Sequence, residues 1–279
     1  MTSRSWALTQ GDGPVVAVAL HDGHDVREEV APLLSVTEAD RWREEDPYTA
    51  HWTKIADTRI VARRSRFEFD LNRRRDKAVY IKPEDAWGLK VWKTRPPRAI
   101  VERSWAEHDA FYAMLEQVLS DIERRHGRFV VFELHTYNHL RFGPNSLPAD
   151  PRYNPEINIG TGTLNRQRWA PVIDRFTQDL RAFNFLGRHL DVRENINFSG
   201  GYFPRWVHQT FPDSACVLSI EVKKFFMNEW TNEVDIVQLD AIRQALQSTV
   251  PGILEALHQV DAKVVNNTYQ SARIYASTF

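Results

Sequence analysis

The 279-residue chain has one cysteine, Cys216. That excludes an intrachain disulfide and fits a reducing compartment. The thiol sits in the apolar run Ala215–Leu218, which marks it as a core group rather than a nucleophile. No segment approaches the ~20 apolar residues that a membrane span needs. Met1 to Gln10 contains no apolar stretch of signal-peptide length, so a cytoplasmic, membrane-free protein is expected. An excess of one charge sign is also missing. The formal net charge is -1, which offers nothing to a polyanion, and no nucleic-acid partner is expected. The basic runs at 63–66 and 73–75 read as a solvated face or a local anion site. Internal repeats and low-complexity linkers are absent, and Pro and Gly are scattered, so residues 1–279 are expected to form one domain.

What is present is a series of short apolar runs separated by long helical patterns. Val15–Leu20, Phe129–Leu134 and Cys216–Val222 read as buried strands, and Arg66–Leu71 alternates as a half-buried strand would. From Glu102 to Arg125 the apolar residues Trp105, Phe111, Tyr112, Met114, Leu115, Val118, Leu119 and Ile122 make one helical face, and Gly127 supplies the stop. Residues 169–186 and 234–257 also read as helices. Strands interleaved with helices of this length predict an α/β layered fold with a largely parallel sheet.

Each predicted strand ends in groups suited to chemistry. The first runs into His21-Asp22-Gly23-His24, the second into Asp70-Leu71-Asn72-Arg73, and the third into Glu133-Leu134-His135-Thr136; the fourth carries Glu221. Ligands of open α/β sheets bind beyond the carboxyl ends of strands, so these groups are expected to share a crevice. Two histidines and a carboxylate suit a catalytic zinc ion with one open position. A further carboxylate can move protons, and an arginine can fork onto a substrate carboxylate. Each group also has a plainer reading: strand-end histidines are often surface residues, and Asp and Asn favour turns. Glu221 within an apolar run is less ordinary, because buried carboxylates need partners. Gly160-Thr161-Gly162-Thr163 lacks the Lys-Ser/Thr ending of a phosphate loop and is not read as nucleotide binding.

Seven segments, in order, resemble the N-formylglutamate amidohydrolase family: Ala19–Gly23, Arg41–Thr49, Ser65–Arg73, Phe132–Thr136, Pro155–Thr161, Phe198–Arg205 and Leu218–Val222. Each is short, and their order and spacing carry the resemblance from about Val15 to about Trp230. The family is in turn distantly similar to zinc carboxypeptidases of the carboxypeptidase A type. The resemblance implies a three-layer αβα, phosphorylase/hydrolase-like (zinc-carboxypeptidase-like) fold with a mostly parallel mixed sheet. It also implies one divalent ion, expected to be zinc, and a small substrate bearing a carboxylate.

Carried over residue by residue, the resemblance implies metal ligation by His21 and His135, with either Asp46 or His24 as the third ligand and Glu45 beside Asp46. Asp46 is the better fit, since a carboxylate with two histidines suits catalytic zinc. Glu221 looks like the general base, and Asn72 and Arg73 look like a carboxylate grip, with Arg205 on the substrate side. Period-two spacing would put Arg66, Glu68 and Asp70 on one strand face, from which Arg66 could steady an oxyanion; pairing with an acid such as Glu68 is the alternative. Glu133, two residues before His135, could orient its ring or form an ion pair within the sheet. The implied activity is hydrolysis of an N-acyl amino-acid amide such as N-formylglutamate. A metallo-carboxypeptidase or deacylase on the same scaffold is an alternative, and a non-catalytic binding protein with a lost metal site is another.

Overall fold

The computed structural model describes residues 5–260. Its seven strands are β1 (Trp6–Thr9), β2 (Val15–Ala19), β3 (Thr58–Ala62), β4 (Phe129–Tyr137), β5 (Ile157–Gly160), β6 (Val192–Glu194) and β7 (Ala215–Lys223). They form one sheet in the order β1-β3-β2-β4-β7-β5-β6. The central strands β3, β2, β4 and β7 are mutually parallel. β1 and β5 join antiparallel, and β6 lies parallel to β5. The helices are α1 (Glu38–Glu44), α2 (Thr49–Trp52), α3 (Arg98–His126), α4 (Ala170–Ala182), α5 (Tyr202–Thr210) and α6 (Ile236–Leu257). The expected α/β architecture with a mostly parallel mixed sheet is the one the chain forms.

Strand alternation builds the layers. On β4, Val130, Phe132 and Leu134 face one way, into a core shared with α4, α6 and Trp52. Phe129 and Val131 face the other way, into the core under α3 and α5. The same alternation decides where the site lies. On the α3 side, β4 continues after Phe129 and Val131 with Glu133 and His135, and β7 continues after Ala215 and Val217 with Ser219 and Glu221. The apolar layer therefore turns polar toward the carboxyl ends of the central strands. The register sets Glu133 beside Ser219 and His135 beside Glu221.

Helix boundaries follow local chemistry. α3 begins right after Pro97 and stops at Gly127, whose φ of 73° suits glycine. α6 starts at Ile236 because Asp235 accepts the N–H groups of Val237 and Gln238. α4 ends at Ala182, earlier than the expected 186. Phe183 is already extended, and residues 185–188 form a tight turn with Gly187 at φ 88°. Cys216 is a fully buried residue of β7, and burial pushes its thiol up from the usual range. Among the described residues no helix is long and apolar enough to cross a membrane.

One expected strand is not a strand. Arg66–Leu71 is a compact turn: the N–H groups of Glu68 and Phe69 both donate to Ser65 O, and Phe67 N–H donates to Ser65 Oγ. Glu68 and Asp70 consequently part. Glu68 goes to Arg27, while Asp70 turns toward His21. Phe67, Glu68, Phe69 and Asp70 are all buried, so the alternation in the sequence does not record one wet and one dry face. The strand at this place in the sheet is the preceding Thr58–Ala62.

A histidine on α5 links helix and sheet. β5 pairs with β7 only from Ser219 onward, and the N–H of Val217 donates instead to His208 Nε2 at 3.0 Å. His208 Nδ1 lies 3.0 Å from Thr163 Oγ1, so the neutral ring carries its proton on Nδ1. Burial pushes the His208 pKa down to about 4. The unfolded chain then binds the extra proton first, so this stabilisation is complete above about pH 6.5 and is lost as pH falls toward 4. Urea unfolding between pH 7 and 4.5 should show stability falling by no more than about 3 kcal/mol from this group. His208→Gln should flatten that slope; an unchanged slope would show that His208 does not titrate in this range.

Candidate active site

His21 follows the end of β2, His135 lies near the carboxyl end of β4, and Asp46 comes from the connection between α1 and α2. Asp46 is drawn to the sheet by its own backbone, whose N–H donates to His21 O at 2.9 Å. Its Oδ2 lies 3.2 Å from His21 Nδ1 and 2.9 Å from His135 Nδ1, and its Oδ1 accepts from Thr136 Oγ1 at 3.0 Å. One ligand-type atom from each of the three residues lies within 4.8 Å of the others, and all three residues are buried.

The outer nitrogens are also engaged. His21 Nε2 is 2.7 Å from Asp70 Oδ1, and His135 Nε2 is 3.0 Å from Glu133 Oε1. The two Nδ1 atoms point at the same carboxylate oxygen. A carboxylate with two imidazoles could hold a divalent ion, and it is a donor set that suits zinc. Burial would raise the Asp46 carboxyl, but the hydrogen bonds from His135 and His21 hold it well below the usual range. Asp70 is likewise held well below that range: burial raises it, and the His21 and Arg66 charges prevail. Burial would lower His135, but Glu133 and Asp46 keep its pKa well above the ordinary histidine value.

Glu221 stands next to His135 across the β4–β7 pair. Burial pushes its carboxyl up to about 8, with the neighbouring His135 pulling the other way. A carboxyl with this pKa exchanges protons near neutral pH.

These groups open into a cleft of about 860 Å³ that Arg66, Asn72, Arg73 and Arg205 also line. Arg66 pairs with Asp70 at 2.9 Å rather than with Glu68, lies 3.3 Å from both Tyr80 Oη and Glu44 O, and sits 4.7 Å from the centre of the Trp87 ring. Asn72 places Nδ2 3.4 Å from His135 Nε2 and accepts the N–H of Phe203 on Oδ1 at 2.8 Å, capping α5 from outside the helix. Arg73 is half exposed, 4.0 Å from Asp70. Arg205 is exposed on α5.

His24 and Glu45 lie outside the His21–Asp46–His135 group. His24 stacks on Trp42 with ring centres 4.1 Å apart, its Nδ1 is 2.5 Å from Glu45, and Arg41 borders its Nε2. Glu45 also accepts from Ser65 Oγ. The conformation of Gly23 is set by close approach: a Cβ there would meet the carbonyl carbon of Arg63 at 2.3 Å. Reading the sequence missed Asp70 as the partner of His21, as well as Arg74, Lys77 and Arg141 on the cleft wall. The available signal for Asp70 was a carboxylate inside a segment too apolar to be a surface turn.

Gly201 carries a testable constraint. A Cβ on it would lie 2.3 Å from Asn72 Oδ1 and 2.6 Å from its Nδ2. Gly201→Ala should therefore push Asn72 off the α5 terminus and away from His135. The expected loss is about 100-fold in kcat/KM, the scale of a 1 Å misplacement, with an unchanged circular dichroism spectrum. Activity within threefold of the parent would show that the Asn72 position is not needed.

The N-formylglutamate amidohydrolase family matches residues 13–227. No curated protein matches the chain. Among solved structures, an N-formylglutamate amidohydrolase from Ralstonia eutropha superposes with a TM-score of 0.70 at 16% identity, covering 94% of this chain and 100% of that one. A gene product of Agrobacterium tumefaciens does so with a TM-score of 0.65 at 16% identity, covering 92% and 97%. At these identities the two structures speak for the fold, and the family match, which spans most of the sequence, speaks for descent: the chain belongs to the N-formylglutamate amidohydrolase family.

Proposed function

We propose that the protein is a metal-dependent hydrolase that cleaves the amide of an N-acyl amino acid, N-formylglutamate being the representative substrate. The observation that carries the reading is the buried His21–Asp46–His135 group with Glu221 beside His135 on the next strand. His21, Asp46 and His135 would hold one divalent ion, with zinc the best match to the donors. When bound, such an ion acts as a Lewis acid toward a carbonyl and makes water a stronger nucleophile near neutral pH.

The chain supplies the rest. Glu221 takes the proton of the attacking water and returns it to the leaving nitrogen. Its position beside His135 on the neighbouring strand serves both halves of that transfer. Arg66, held in place by Asp70 and Tyr80, directs positive charge to the oxygen on which negative charge develops. Arg73 and Arg205, with the Asn72 amide, grip a substrate carboxylate and so fix the amide over the reacting groups. Asp70, 2.7 Å from His21 Nε2, and Glu133, 3.0 Å from His135 Nε2, orient the two rings so that each Nδ1 faces Asp46.

Glu221→Gln should lower kcat by about 1,000-fold or more while zinc content is retained, measured by single-turnover hydrolysis of N-formylglutamate and by elemental analysis. Full activity in that variant would remove Glu221 from the role of base. Dialysis against a chelator should abolish turnover, and added zinc should restore it; activity that survives complete metal removal would sink the metal-dependent reading. The cleft, at about 860 Å³, is roomier than a formyl amino acid requires, which favours a peptide or a bulkier acyl group as a second reading. Turnover of a short peptide without turnover of N-formyl amino acids would select it. A protein that rejects zinc altogether would instead be the non-catalytic binder.

A further inference from the structure

Lys224 is the first residue after β7 and stands three residues beyond Glu221. It is only 1% exposed, and no step above uses it. Its Nζ donates to the backbone carbonyl of Arg43 at 2.5 Å and to that of Glu45 at 2.8 Å. The carbonyl between them, that of Glu44, takes Arg66 Nη1 at 3.3 Å. These three carbonyls close the C-terminal end of α1. Acceptors there have no partner within the helix, and negative partial charge accumulates on them. Glu45 then leaves the helix in an extended conformation, φ -78° and ψ 174°, and Asp46 follows at once.

A long side chain from the strand that carries Glu221 thus grasps the end of the helix that delivers Asp46. The segment is also held by the Asp46 N–H on His21 O and by side chains, such as Glu45 to Ser65 and His24. Among the described residues no other side chain donates to two of these backbone carbonyls.

We infer that Lys224 is a positioning residue for the metal-binding carboxylate: by capping α1 it sets the direction in which Asp46 enters between His21 and His135, and it ties that segment to the strand bearing Glu221. The inference rests on the reading that His21, Asp46 and His135 hold an ion. It assigns Lys224 no contact with substrate. Loss of its donors frees the carbonyls of Arg43 and Glu45 to seek other partners, and the carboxylate that follows them moves with them.

The test is a zinc titration against a competing chelator of known affinity. Lys224→Met keeps the length and the apolar stem and removes the donors. Its zinc Kd should rise about 10- to 100-fold, the scale seen when the support of a metal ligand is removed. Circular dichroism should be unchanged, and kcat should fall with KM little altered. Lys224→Ala should show the same loss, and ethylammonium added to it should restore part of the zinc affinity. A folded Lys224→Met variant whose zinc Kd lies within twofold of the parent overturns the assignment. Should that variant fail to fold, Lys224→Leu, which also lacks donors, is titrated against the same two outcomes. A parent protein that binds no divalent ion fails the reading of the site itself and this inference with it. A parent that binds, beside a Met variant that binds equally well, overturns only the role of Lys224.

Discussion

One carboxylate oxygen, Asp46 Oδ2, is faced at close range by the Nδ1 atoms of two histidines, and the polar interior is organised around that meeting. Each ring is held from behind by a second buried carboxylate, Asp70 for His21 and Glu133 for His135. Those carboxylates are held in turn. Arg66 and Tyr80 attend Asp70, and Ser219 Oγ donates to Glu133 at 2.5 Å. Three buried carboxylates in so small a volume would be costly without matching positive charge. The Arg66 guanidinium on Asp70 and the imidazoles on Asp46 lower that cost, and a cation held by His21, Asp46 and His135 would lower it further.

The sheet makes such a concentration of charge compatible with a stable fold. The lower halves of β4 and β7 are apolar on both faces and knit the two cores together. On the α3 side polar residues begin at Glu133 and Ser219, toward the carboxyl ends, where the cleft opens. Parallel neighbours bring equivalent positions level, so Glu133, Ser219, His135 and Glu221 form two adjacent rows. A rigid central pair therefore carries one histidine and the candidate base, while the pieces that complete the site arrive from connections. Asp46 comes after α1, Asp70 and Asn72 from the compact turn after β3, and Gly201 from the start of α5. Those connections are pinned by backbone contacts, including Lys224 and Arg66 on the end of α1 and Asn72 on the start of α5.

Reading the chain as sequence succeeded where local periodicity and burial coincide. The runs of β2, β4 and β7 are apolar long enough to be central strands, and a charged or imidazole side chain at the end of such a run stands out. His21, His135 and Glu221 were visible for that reason. The segment Arg66–Leu71 shows how the same signal misleads. Its alternation matches a strand, yet both sets of side chains are buried, and Ser65 captures the following N–H groups into a turn. Arg66 and Asp70 then meet as neighbours four apart rather than as members of a flat face. His24 was a chemically competent alternative to Asp46, and nothing in its neighbours along the chain says that Trp42 and Glu45 would take it up.

By itself, the sequence determined the layered α/β class, the parallel centre and the strand ends at which reactive groups would gather. These depend on spacing within a few residues, and burial of apolar surface enforces that spacing. Only the tertiary structure decided which carboxylate meets which histidine. Asp46 reaches His21 across 25 residues and His135 across 89, and Asp70 reaches His21 across 49. Contacts of that range are set by how helices and turns pack on the finished sheet, and no local pattern encodes the direction in which a side chain leaves a turn.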